Sequence, residues 1–106
     1  MARNMYTNKY RFEWDESKEQ INLAKHGISF KDAQQAFYDE DCILKEDLRH
    51  SGIEKRYYCL GHVKGKVATV RFTVRRGRIR IIGAGYWRKG RSHYEGERRN
   101  RIQGSL

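Results

Sequence analysis

Lys66-Val67-Ala68-Thr69-Val70-Arg71-Phe72-Thr73-Val74-Arg75, then Arg76-Gly77, then Arg78-Ile79-Arg80-Ile81-Ile82, is the stretch that decides the fold. Ala68, Val70, Phe72 and Val74 alternate with Val67, Thr69, Arg71, Thr73 and Arg75, the period of two expected of a strand lying on a core. Ile79 and Ile81 oppose Arg78 and Arg80 in the same way. Arg76-Gly77 supplies a turn, and Lys64-Gly65 supplies the one before it. Residues 54–63, 66–75 and 78–82 therefore read as three consecutive strands of an antiparallel meander. Its inner face carries Val, Ile and Phe, while its outer face carries Arg71, Arg75, Arg78 and Arg80. Such a surface is suited to meeting negative charge.

Upstream, Tyr10-Arg11-Phe12-Glu13-Trp14 alternates as a short strand with Tyr10, Phe12 and Trp14 on the core side. Asp15 offers an N-cap for a helix over residues 16–26, and Gly27 stops it. The apolar face of that helix is thin: Ile21, Leu23 and Ala24. Ser29 caps a second helix, whose Phe30, Ala33, Ala36 and Phe37 form one stripe to lie on the sheet. Residues 42–46 fit a short strand and residues 47–52 a polar loop. Downstream, Gly83-Ala84-Gly85 reads as a flexible or bulged exit. Residues 88–101 form a short basic C-terminal segment, a brief helix and then a frayed tail. The predicted class is α+β, an antiparallel sheet with two N-terminal helices packed on one face.

The chain has 106 residues and 38% hydrophobic content, room for a single domain with one modest core. Within it, residues 1–9 read as a loose arm, 10–95 as the folded domain and 96–106 as a basic tail. Lys and Arg number 23 against 13 Asp and Glu, a formal net charge of +10. Nucleic acid is the first partner this suggests, an anionic membrane surface the second and an acidic protein the third. No apolar run approaches the ~20 residues of a membrane span, and the amino terminus lacks the apolar core of a secretion signal, so a cytoplasmic protein is expected. Cys42 and Cys59 then read as reduced thiols, the alternative being a zinc site completed by His50 or His62.

Three blocks of the sequence resemble the BrnT toxins of bacterial type II toxin-antitoxin pairs. They are Phe12-Glu13-Trp14-Asp15 with Asn22-Leu23-Ala24-Lys25-His26-Gly27-Ile28-Ser29-Phe30; Glu54-Lys55-Arg56-Tyr57 with Gly61; and Ile79-Arg80-Ile81-Ile82. The resemblance implies a RelE-like small ribonuclease fold and an RNA-cleaving activity. It further implies neutralisation by a BrnA-like ribbon-helix-helix antitoxin, the complex binding operator DNA. The chain also departs from the family pattern. Phe72-Thr73 stands where the family places His-Thr, and Ile82-Gly83-Ala84-Gly85 stands where it places Ile-Ser-Ala-Arg.

A metal-free ribonuclease takes a proton from the ribose 2′-OH, stabilises an anionic phosphorane and returns a proton to the leaving 5′ oxygen. Glu54 or a histidine can be the base, and Arg56, Arg71, Arg78 and Arg80 can hold the phosphate by forked donation. The acid can be His26, His62, Tyr86 or His93. The family motif adds Lys25 and His26 to the catalytic candidates, and Arg75, Arg78, Tyr86, Arg88, Lys89 and Arg91 are candidates for RNA binding. Plainer roles compete with each: Lys25 and His26 suit a helix C-terminus, Glu54 can pair with a neighbouring cation, and His50 and His62 read as ordinary exposed residues. No carboxylate cluster has ligand spacing, so neither metal nor cofactor is expected. A non-catalytic nucleic-acid-binding or protein-interaction module on the same scaffold is the rival, favoured by the missing Ser and Arg.

Overall fold

Lys64-Gly65 and Arg76-Gly77 turn the chain with both residues at positive φ, 51° and 82° in the first and 51° and 74° in the second. Paired left-handed residues make a two-residue hairpin turn whose twist matches that of the flanking strands. The turns join β3 (Tyr57–Val63) to β4 (Lys66–Arg75) and β4 to β5 (Arg78–Gly85), all antiparallel, with Val63 opposite Lys66 and Arg75 opposite Arg78. The computed structural model describes residues 10–104, so the expected arm over 1–9 and the last two residues of the tail lie outside the described residues.

The sheet has five strands in the order β1-β5-β4-β3-β2, where β1 is Phe12–Glu13 and β2 is Ile43–Glu46. It is mixed, not wholly antiparallel, because β1 lies parallel to β5, with Phe12 opposite Ile79 and Glu13 opposite Arg80. From β1 the chain passes through two helical segments, α1 (Glu16–His26) and α2 (Phe30–Ala33), to β2 at the opposite edge, and returns strand by strand to β5 beside β1. Asp15 caps α1 by accepting from the Ser17 and Lys18 amides, and Gly27 ends it at φ 70°. The second helix is shorter than its stripe suggests. After one α turn it tightens into a 3₁₀ stretch, Gln34–Tyr38, which keeps Ala36 and Phe37 buried.

The inner face of the sheet meets this helical layer through Ile28, Phe30, Ala33, Ala36, Phe37, Cys59, Val63, Val70, Phe72, Ile81 and Ala84, all buried. Gly61 lies so close to the Ala36 carbonyl that a Cβ would overlap it, and this contact brings β3 onto the 3₁₀ stretch. Cys59 belongs to this core; its hydrogen bond with Cys42 and its burial push the thiol pKa up, and both cysteines are free. By contrast α1 does not bury the apolar residues expected of it: Ile21 and Leu23 are 60% and 44% exposed. It turns Glu19 and Asn22 inward instead. Asn22 donates to the Ile28 and Ala84 carbonyls, both at 2.9 Å, and accepts from the Ala84 amide at 3.2 Å, while Glu19 accepts from the Lys31 amide at 3.0 Å. Hydrogen bonds, more than apolar area, fasten this helix to β5.

Two further differences shape the outer face. Of the flexible or bulged exit expected at Gly83-Ala84-Gly85, the irregularity is present, as a register shift opposite Arg71/Phe72, but the segment is paired with β4 as the end of β5. The basic C-terminal segment is a 17-residue helix, α3 (Arg88–Gly104), packed on β3 and β4. Helices therefore cover both faces of the sheet. Tyr94 is the anchor of α3, buried with Leu60 and Val67, and its hydroxyl donates to Asp39 Oδ2 at 2.7 Å.

Candidate functional site

Between α3 and the 47–56 loop the outer face of the sheet stays open. Residues 47–56 fold into a closed loop: the Asp47 amide donates to the Arg56 carbonyl at 2.7 Å, and Ser51 Oγ accepts from the Arg56 amide at 2.9 Å. Part of the loop covers β4, where the Lys55 carbonyl accepts from Thr73 Oγ1 at 2.8 Å and Thr73 is buried. On the other side, α3 approaches so closely at Gly90 that a Cβ there would strike Thr69 Oγ1. The remaining hollow has a volume of about 290 Å³. Tyr58, Leu60, Thr69 and Arg71 form its floor; Asp47, Arg49 and His50 form one wall; Trp87, Lys89, Gly90 and His93 form the other.

Asp47 organises the first wall. Its Oδ2 lies 2.8 Å from His50 Nδ1 and 3.7 Å from Arg71 Nη2. Burial works to raise its pKa, but the His50 hydrogen bond and the charges of His50 and Arg71 outweigh it, and the carboxyl stays below its ordinary value. An ionised carboxylate only accepts, so Nδ1 carries the hydrogen of this bond and Nε2 is the ring nitrogen left for another partner. On the opposite wall, His93 Nε2 is buried without a hydrogen-bond partner among the described residues, and Glu97 Oε1 is 3.9 Å away. Trp87, 40% exposed, rests on Gly85, whose virtual Cβ would lie 2.6 Å from the indole, and meets His26 edge-on at 5.1 Å.

Of the fourteen catalytic and RNA-binding candidates named from the sequence, this hollow brings together Arg71, Lys89 and His93. Arg75 pairs with Glu54 at 2.9 Å and 3.3 Å, a contact that holds the Glu54 carboxyl below its ordinary value. Arg80 and Arg78 share Glu13, at 3.1 Å and 3.8 Å, on the strand pair β1–β5. Arg56 closes the 47–56 loop through its backbone. Lys25 and His26 end α1, and His26 meets the site's Trp87 edge-on. A second hollow of about 410 Å³ takes in Tyr86, Arg88 and Arg91 with His62, Lys66, Trp87 and Glu95. His62 Nδ1 lies 3.0 Å from Asp39 Oδ2 and 3.2 Å from the Tyr94 hydroxyl, in the network that holds α3 down.

Asp47, Arg49 and Tyr58 are site residues that the sequence did not single out, and His50 has a charged partner where an ordinary surface residue was expected. The one local signal was the Asp47…His50 spacing of three in a polar loop, which by itself marks a turn. Residues 14–90 match the model of a protein family described as the ribonuclease toxin, BrnT, of type II toxin-antitoxin systems. The chain belongs to the BrnT family. That membership carries the family's description as a ribonuclease toxin, with an RNA target and an antitoxin partner. Every residue of the first hollow except His93 falls within the matched span. No curated protein matches the chain. No helix among the described residues is long and apolar enough to cross a membrane, and none of their His, Cys, Asp and Glu side chains form a group of three or more that could hold a metal ion.

Proposed function

We propose that this BrnT-family chain is an active, metal-independent endoribonuclease toxin and that the hollow between α3 and the 47–56 loop is where it cuts. The observation that carries this reading is the meeting of Arg49, Arg71 and Lys89 with the Asp47–His50 pair in one space. His50 Nε2 takes the proton of the ribose 2′-OH, with Asp47 positioning the ring. The 2′ oxygen bonds to phosphorus, the bond from phosphorus to the 5′ oxygen breaks, and the leaving oxygen receives a proton from the opposite wall, where His93 is the candidate acid. Arg71, reinforced by Arg49 and Lys89, neutralises the phosphorane. The products are a 2′,3′-cyclic phosphate and a free 5′-OH.

The same reading takes the chain as one RelE-like domain acting in the cytoplasm. A BrnA-like ribbon-helix-helix antitoxin, with an acidic segment laid over the hollow, would stop cleavage by occupancy, and the complex would bind operator DNA. One observation favours a non-catalytic RNA-binding module instead: Trp87 fills the space beside Gly85, the position where the family places its arginine. Purified protein with end-labelled RNA in EDTA separates the two. Shortened products ending in cyclic phosphate are expected; a mobility shift with intact RNA would leave only the binding module.

A further inference from the structure

Trp87 belongs to both hollows, with Arg71 and Lys89 on one side of it and Lys66, Arg88 and Arg91 on the other. We infer that the two hollows are consecutive phosphate subsites of one single-stranded RNA track, divided by Trp87, on which a base stacks at the crossing. This rests on the first hollow being the cleavage site and adds that the substrate is an extended single strand longer than a dinucleotide.

The arrangement suits a single strand in three respects. An indole pinned beside Gly85 and edge-on to His26 is already ordered and still 40% exposed, so stacking a base on it immobilises little that was free. Lys66 sits 4.5 Å above the Tyr86 ring, and the Tyr86 hydroxyl donates to the Val63 carbonyl at 3.3 Å, which holds that cation at the wall of the second hollow. Glu95 also lines this hollow; one carboxylate against Lys66, Arg88 and Arg91 leaves it positive. A duplex would need its bases stacked on each other, and a base resting on Trp87 is withdrawn from that stack. A dinucleotide, with one phosphodiester, fills only the first hollow.

The test compares cleavage of a dinucleotide and of an oligonucleotide of roughly eight nucleotides. In Lys66→Ala/Arg91→Ala the ratio of kcat/KM for the long over the short substrate falls about tenfold, and the salt dependence of long-substrate binding loses about 1.4 from its log–log slope, roughly 0.7 per cation. Arg71→Ala lowers both substrates together and keeps the ratio. Binding of an uncleavable 2′-O-methyl oligonucleotide weakens at least fivefold in Trp87→Ala, near the low end of a lost base stack. An unchanged ratio in the double variant, or 2′-O-methyl binding indifferent to Trp87, overturns the track. If the wild type cuts neither substrate while binding keeps its dependence on Trp87, Lys66 and Arg91, the track stands and the cleavage reading falls.

Discussion

Arg71 and Arg80 stand on the outer face of neighbouring strands, and the sequence pattern treats them alike. Their surroundings differ. Arg80 sits on the β1–β5 pair, its side chain 27% exposed and 3.1 Å from Glu13, directly across the register. Arg71 opens onto a hollow, is 39% exposed, and has Asp47 no closer than 3.7 Å, a carboxylate already bonded to His50. Proximity on a sheet does not by itself make an anion site: the Arg80 guanidinium is already engaged by Glu13, while Arg71 faces the space between the loop and α3.

The largest expected effect falls on Arg71. Arg71→Ala should lower single-turnover RNA cleavage by roughly 10²–10³-fold, the loss that follows removal of one donor to a developing anion. Its far-ultraviolet circular dichroism and thermal midpoint should stay those of the wild type. Asp47→Asn keeps the size of the side chain and removes the charge that orients His50, so a smaller loss is expected, roughly 10–100-fold, with RNA binding retained in a filter assay. Equal losses in cleavage and in binding would reassign Asp47 to holding the loop.

A third prediction sharpens the contrast from the side of stability. Burial works to raise the Asp39 pKa, but hydrogen bonds from the His62 and Asp41 amides, the Tyr94 hydroxyl and the His62 ring prevail and bring it down to about 2, from an ordinary 3.8. A carboxyl depressed by folding contributes stability that is fully present above its unfolded value and is lost as pH falls through the folded one. The melting temperature should therefore drop as pH is lowered from about 4 to about 2, and Asp39→Asn should flatten that fall. The smallest effect belongs to Arg80→Ala: cleavage within about threefold of wild type, and stability reduced by roughly 0.2–1 kcal/mol in urea melts, the range of a surface ion pair.

Much of the fold was legible because it obeys local rules. Period-two patterning placed Val70, Phe72 and Ile81 inside, paired left-handed turn residues set both hairpins, and Asp15 with Gly27 bounded α1. What could not be read depended on tertiary closure. The inward face of α1 is polar, and Asn22 earns its burial from hydrogen bonds to Ala84, 62 residues away, which no moment or propensity registers. The long α3 was masked by its charge: Gly90 and Tyr94, four residues apart, are enough to seat it on β3 and β4, while arginines fill its other faces. Half of the candidate site was visible for the same reason and half was not. Arg71 stood out on the outer face of its strand, Lys89 in the basic C-terminal segment and His93 as a candidate acid. Asp47, Arg49 and His50 joined them only because the loop closes through Ser51 and Arg56 and folds back over the sheet.

The most direct test of where RNA is held is an NMR titration of the arginine Nε–Hε resonances with an uncleavable 2′-O-methyl oligonucleotide. Saturable shifts at Arg71 and Arg49, with Arg75, Arg78 and Arg80 unmoved, are the predicted result. Shifts concentrated at Arg78 and Arg80 with Arg71 silent would contradict it, and would move the binding surface to the β1–β5 edge.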